Sequence, residues 1–169
     1  MALRRDVGMV FQNYALFDYM TVGENIAFPL RRLFDLPEAE IAARVAERLA
    51  RMSLPGFEGR TPGGLSGGQK KRVGVARATV SRPKILLYDE PTAGLDPVTT
   101  QRIFDLSKEE QSRMGTTNVV ISSDVKGLFT IADRVVMLVR GRLVFEGTKE
   151  EALASAIPEV KLREVRSQE

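Results

Sequence analysis

Apolar and polar positions follow two patterns along this chain. Unbroken apolar runs of strand length occur at Val7–Phe11, Ile85–Tyr88 and Val119–Ile121. They predict buried strands, and Ile85–Tyr88 reads as a central strand covered on both faces. Elsewhere apolar residues recur at helical spacing. Ile41, Val45, Leu49 and Met52 predict a helix that opens at Asp35-Leu36-Pro37-Glu38, with Glu38 and Glu40 at its positive end. It stops before the turn signal Leu54-Pro55-Gly56. Val73, Ala76 and Val80 predict a second helix, starting at Ser66 or Gly67 and ending before Pro83. A third begins at Asp96-Pro97, an N-cap followed by proline, and ends near Met114-Gly115. A short helix around 125–132 precedes a hairpin formed by Val135–Val139, Arg140-Gly141 and Leu143–Phe145. Residues 148–169 read as a helix and a charged tail. Residues 14–64 carry no strand signal and read as a helical insertion, although 14–35, interrupted by Gly23 and Pro29, show no clear element. Strands alternating with helices predict an α/β layered fold with a largely parallel sheet.

Composition narrows the function classes. The chain has 169 residues, 43% apolar and 28% charged, an ordinary globular balance for one domain. The longest apolar runs are far shorter than the ~20 residues that span a bilayer. Residues 1–20 lack the continuous apolar stretch of a secretory signal. Cysteine is absent, so disulfides and thiolate metal sites are excluded, in keeping with a cytosolic protein. Histidine is absent too, which excludes Ser-His-Asp triads and His-ligated zinc. The 25 basic and 22 acidic side chains give a net charge of +3, too mild for a nucleic-acid binder. Lys70-Lys71-Arg72 and Arg31-Arg32 read as solvated helix faces.

Two segments carry chemistry. Asp89 and Glu90 end the Ile85–Tyr88 run, and ligands of open α/β sheets bind at that edge. An Asp there can hold Mg²⁺ and the next acid can orient an attacking water, though a strand can also simply end in polar residues. Leu65-Ser66-Gly67-Gly68-Gln69 precedes a helix, where glycines expose backbone N–H groups and the helix adds its positive end. A lone Ser-Gly-Gly would more often be a plain helix start. Here Asp89 follows Gln69 by 20 residues.

Together these segments resemble the ATP-binding cassette (ABC) ATPases. Leu65–Gln69 is similar to the family's signature motif, Ile85–Glu90 to its Walker B strand, Gly94-Leu95-Asp96 to its D-loop, and Gln12 to its Q-loop glutamine. The likeness covers residues 1 to about 150. It implies a P-loop-NTPase-like parallel sheet flanked by helices, with a helical signature subdomain. Residues 14–80 would form that subdomain, 1–13 and 81–150 the sheet core, and 151–169 a C-terminal tail. It implies ATP and Mg²⁺ as cofactors and a dimer in which ATP lies between one subunit's Walker A loop and the other's signature loop. Asp89 would bind the metal through water, Glu90 would be the catalytic carboxylate, and Gln12 would reach the metal and sense a permease. Leu65, Ser66, Gly67, Gly68 and Gln69 would face the ATP of the opposite subunit, and Asp96 would support the dimer seam. The implied partners are a transmembrane permease and a second nucleotide-binding subunit, with no nucleic acid. The implied place is the cytoplasmic face of the bacterial inner membrane.

Leu65 lies 53 residues after Gln12. That spacing suits the compact helical subdomain of transporters and leaves no room for the long coiled coil of chromosome-maintenance and DNA-repair relatives. The strings Gly8–Asp18 and Thr21–Leu30 resemble the ATPases of Mla/Mce-type phospholipid transporters, with amino-acid importers as the nearest competitors.

Two departures stand out. No GxxGxGK[ST] occurs in the 169 residues, so the Walker A cradle and the N-terminal β part of the family are expected to be missing, and the chain is expected to be inactive alone. Ser123 stands where the family usually has its switch histidine, a shorter side chain that cannot be cationic. The leading expectation is thus an incomplete transporter ATPase subunit. The alternative is a non-catalytic partner that donates its signature loop in trans.

Overall fold

A computed structural model describes residues 2–157, which divide into two compact units at the boundary between Ile121 and Ser122. The first unit contains α1 (Ala2–Asp6), β1 (Val7–Val10), α2 (Val22–Leu33), α3 (Glu38–Arg51), a single 3-10 turn at Pro62–Gly64, α4 (Gly67–Thr79), β2 (Ile85–Asp89), α5 (Pro97–Met114) and β3 (Thr117–Ile121). The strands form a parallel sheet in the order β1-β2-β3, with Met9 opposite Leu87 and Leu87 opposite Val119. This is the α/β architecture that the alternation of strands and helices predicts.

The register sorts side chains onto two faces. Val10, Leu86, Tyr88 and Val120 share one face and pack into a core with Val73, Val75, Ala76 and Val80 around α4 and Leu106 and Met114 of α5. On the other face Ile85 and Met9 are each 37% exposed, Val119 47% and Ile121 64%. The expectation that β2 is covered on both faces is therefore corrected: helices of this unit cover one side only. Gly8 explains how tightly α4 seats, because a Cβ there would lie 2.3 Å from the Ala78 carbonyl oxygen.

The segment 14–35 is more regular than its composition suggests. Thr21 and Glu24 form a reciprocal capping box that starts α2, and Pro29 sits inside the helix. The fully buried Asn25 ties the preceding loop to α2. Its Nδ2 donates to the carbonyls of Phe17, Met20 and Thr21, and its Oδ1 accepts from the Phe17 N–H at 2.8 Å. α3 starts one residue later than proline in the first turn would place it, because Pro37 is itself the N-cap. α5 is capped by Asp96 and closed by Gly115 at φ 65°, as its end signals predict. Arg48 of α3 and Glu110 of α5 form a buried ion pair, which Arg113 joins at 2.7 Å.

The second unit contains α6 (Val125–Ile131), β4 (Arg134–Val139), β5 (Arg142–Thr148) and α7 (Lys149–Leu153). β4 and β5 form the expected antiparallel hairpin, with an irregularity between Met137 and Leu138. Arg140 and Gly141 turn the chain with φ of 49° and 75°. The charged tail from residue 158 onward lies outside the described residues.

Candidate functional site

The Leu65–Gln69 segment is built by the start of α4. Leu65, 7% exposed, anchors it in the core, and Ser66 is the N-cap. The Gln69 N–H donates to Ser66 Oγ at 3.3 Å, and the Ser66 N–H donates to Gln69 Oε1 at 2.9 Å. This box leaves the N–H groups of Gly67 and Gly68, in the first turn, without a capping partner at the helix's positive end. Side chains crowd both glycines, Gly68 more closely than Gly67. A Cβ on Gly67 would lie 3.2 Å from the Tyr14 hydroxyl, and one on Gly68 would lie 2.9 Å from Thr99 Cγ2.

The same turn faces the segment after β2. Ser66, Gly67, Gly68, Gly94, Leu95 and Asp96 are among the residues lining one cavity of about 360 Å³. The structure thus brings the Leu65–Gln69 and Gly94–Asp96 motifs together. Asp96 is already engaged as a cap, its carboxylate accepting from the Thr99 N–H at 3.0 Å. Hydrogen bonds from Thr99 hold that carboxyl below the usual carboxylate range.

A second cluster joins Gln12 to Asp89 and Glu90. Asp89 ends β2 beside Ile121, and the Glu90 N–H extends the parallel ladder by donating to the Ile121 carbonyl at 2.9 Å. Glu90 adopts φ 43°, and Tyr14 and Ala15, just after Gln12, adopt 63° and 47°. These left-handed conformations are costly for non-glycine residues and persist only where the surroundings hold them. The residue that reaches both segments is Lys71. Its ammonium donates to the carbonyls of Gln12 and Glu90 and lies 5.0 Å from the Tyr14 ring centroid. Burial lowers its pKa, and the charges of Asp89 and Glu90 oppose that fall.

Lys71 is a residue that the charge pattern concealed. Lys70-Lys71-Arg72 reads as a solvated face, yet Lys71 is only 1% exposed, and Arg72 donates to the Met52 carbonyl at 2.8 Å. The signal was available in helical phase: Lys71 shares a helix face with Gly74, Val75 and Ala78, three, four and seven residues on and all buried.

Gln12 is exposed in a turn, and Ser123 is exposed ahead of α6 in the second unit. Among the described residues no group of three or more acids, cysteines or histidines gathers to hold a metal. Asp89 and Glu90 offer two carboxylates, with Gln12 as a neutral donor. The residues therefore fit the signature side of a nucleotide site and the acidic side of a magnesium site. The phosphate-cradling motif is not among the 169 residues.

Comparison with known proteins identifies the family. The ABC transporter family matches residues 1–93, more than half of the chain. The methionine import ATP-binding protein MetN of Caulobacter vibrioides is 45% identical over 168 residues, covering 99% of this chain and 50% of its own length. That of Xanthomonas campestris pv. campestris is 47% identical over 150 residues, covering 89% and 44%. The chain thus spans about half the length of the curated relatives it matches. Among solved structures, cbiO1 from Clostridium perfringens, part of the ABC transporter complex cbiONQ, superposes with a TM-score of 0.82 at 34% identity over 98% of this chain and 65% of that one. The ATP-binding cassette MJ0796, a dimer in a post-hydrolysis state bound to ADP and Pi, gives 0.77 at 33% identity over 86% and 64%. The curated relatives are named for an amino acid, so the phospholipid expectation drawn from Gly8–Asp18 and Thr21–Leu30 finds no support among them. This chain belongs to the ABC transporter family and carries part of its ATP-binding domain.

Proposed function

We propose that this chain is the signature-bearing part of the ATP-binding subunit of an ABC importer whose cargo is an amino acid, methionine being the first candidate. The observation that carries the reading is the cavity shared by Ser66–Gly68 and Gly94–Asp96, with Gln12 and Glu90 tied to the same helix. The identity to methionine import proteins supports the choice of cargo.

In this reading residues 14–80 form the helical signature subdomain, and 1–13 with 81–121 carry the parallel sheet. Ser66 Oγ accepts from Gln69, so its own O–H remains to donate to a γ-phosphate held by an opposite subunit, together with the N–H groups of Gly67 and Gly68. Asp89 and Gln12 would hold Mg²⁺, which would supply charge stabilisation at the phosphates, and Glu90 would orient an attacking water. Gln12 would also link the site to the permease. Asp96 supports the seam between subunits, and Ser123 takes the switch position.

Among the described residues no helix is long and apolar enough to cross a membrane. In this reading a permease carries the cargo, and the chain sits at the inner membrane's cytoplasmic surface. A groove of about 500 Å³ beside the Gln12 segment, lined by Phe11, Ala15, Phe17, Phe28 and Pro29 among others, offers that permease an apolar seat. Reconstitution tests the cargo. The chain, combined with a phosphate-loop-bearing subunit and a methionine permease in vesicles, is expected to support methionine uptake driven by ATP. Uptake of phospholipid and not methionine would overturn the choice.

A second reading keeps the same site but not the turnover: the chain acts only as a donor of its signature loop to an intact subunit. The cavity supports it, because Ser66–Gly68 and Gly94–Asp96 line one space among the described residues. A Glu90→Gln variant that still activates the intact subunit would support this reading, and one that does not would support turnover at both sites.

A further inference from the structure

The two segments that end in left-handed backbone are both gripped by α4. Arg77 donates to the Tyr14 carbonyl at 2.9 Å and to the Ala15 carbonyl at 2.7 Å. Gly74 faces the Tyr14 carbonyl, which lies 3.8 Å from where a Cβ would stand, ordinary van der Waals contact. One turn nearer the helix start, Lys71 holds the Gln12 carbonyl and, with the same ammonium, the Glu90 carbonyl at 3.2 Å. Lys71 is itself only 1% exposed.

We propose that Lys71 is a positioning residue that makes the Gln12 segment and the Glu90 segment one mechanical unit. A buried ammonium has a large desolvation cost and must be repaid by oriented acceptors. Here the acceptors are two carbonyls from different loops, the face of Tyr14, and the field of Asp89 and Glu90. Neither carbonyl can swing away without leaving the charge short of a partner. A displacement that moves Gln12 therefore pulls on the backbone of Glu90, and the reverse. The strained φ values at Tyr14, Ala15 and Glu90 are held by the same set of bonds. Lys71 touches no reacting atom in this account; it acts through the two residues it joins. That the tie serves ATP turnover rests on the roles proposed above for Gln12 and Glu90. The tie itself does not.

Hydrogen exchange on the whole chain, without nucleotide, tests it. Lys71→Met keeps the length of the stem and removes the charge, whereas Lys71→Arg keeps the charge. In Lys71→Met the amides of Tyr14 and Ala15 and that of Ala93, which donates to the Glu90 carbonyl, are expected to exchange about tenfold faster together. Amides of α2 should be unchanged, and Lys71→Arg should restore protection in both segments. Loosening of one segment alone, protection equal to the native chain in Lys71→Met, or no rescue by Lys71→Arg would each overturn the proposal. Should Lys71→Met lose protection throughout, Lys71→Gln, neutral but able to donate, replaces it. Both segments must then be looser than in Lys71→Arg, and equal protection would overturn the tie. Because no nucleotide is present, failure here leaves the ATP reading standing, and failure of the transport assay leaves the tie standing.

Discussion

Ser66 and Gln69 cap each other, each side chain accepting the other's backbone N–H. The residues read as nucleotide contacts are thus first the start of α4, and their two duties can be separated. Ser66→Ala removes the cap and is expected to lower stability by about 1 kcal/mol, read from the urea midpoint. Ser66→Asp keeps a strong capping acceptor, so its stability should stay close to native. Yet it sets a carboxylate against the phosphate that the loop is proposed to meet. Activation of a partner subunit should be lost in both variants, with stability lost only in the first.

Gly68 and Thr99 form a steric pair across the same cavity. Glycine to alanine inside a helix ordinarily gains about 1 kcal/mol. Here the new methyl would stand 2.9 Å from Thr99 Cγ2. Gly68→Ala alone is expected to destabilise the chain. Thr99→Ser removes the obstructing methyl, so the double variant should recover at least the helix gain. A double-mutant cycle by thermal unfolding should give a coupling of about 1 kcal/mol. Additive effects would refute the contact.

The buried pair of Arg48 and Glu110 joins α3 to α5. Burial depresses the Arg48 pKa, with Glu110 opposing it. Glu110→Gln strands that guanidinium and is expected to cost about 3 kcal/mol. Replacing both partners by apolar residues, Arg48→Met with Glu110→Leu, should cost less than the single change. Chemical denaturation of the three chains checks the order.

The hairpin in the second unit makes a local test. Arg140 and Gly141 both have positive φ, the geometry of a turn that prefers Asn-Gly. Arg140→Asn is expected to stabilise the hairpin by about 0.5–1 kcal/mol, seen as slower hydrogen exchange of the β4 and β5 amides.

Local signals were legible wherever one residue settles one feature. Asp96 with Pro97, and Gly115, mark both ends of α5. The Arg140-Gly141 dipeptide marks the hairpin turn. α2 was hidden because Gly23 and Pro29 break a helical pattern on paper. The fold overrides them with the Thr21–Glu24 capping box and the four hydrogen bonds of Asn25. That box, Thr-x-x-Glu ahead of Ile26, was the unread signal. The one-sided cover of β2 could not be read from Ile85–Tyr88, because an apolar run does not say how many helices pack on it. The motif residues Leu65–Gln69, Asp89 and Glu90 were legible as a pattern. The tie that Lys71 of α4 makes between Gln12 and Glu90 was not, because a buried lysine in a basic run looks like solvent-facing charge until its neighbours are placed.

The central claim is that this chain presents a working signature face. The direct test mixes it with an ABC ATPase subunit that has an intact phosphate loop and a disabled signature serine, and follows phosphate release. The native chain is expected to restore magnesium-dependent hydrolysis, and Ser66→Asp, folded with native stability, is not. Failure of the native chain to restore hydrolysis while it binds that subunit, or equal restoration by Ser66→Asp, would contradict it.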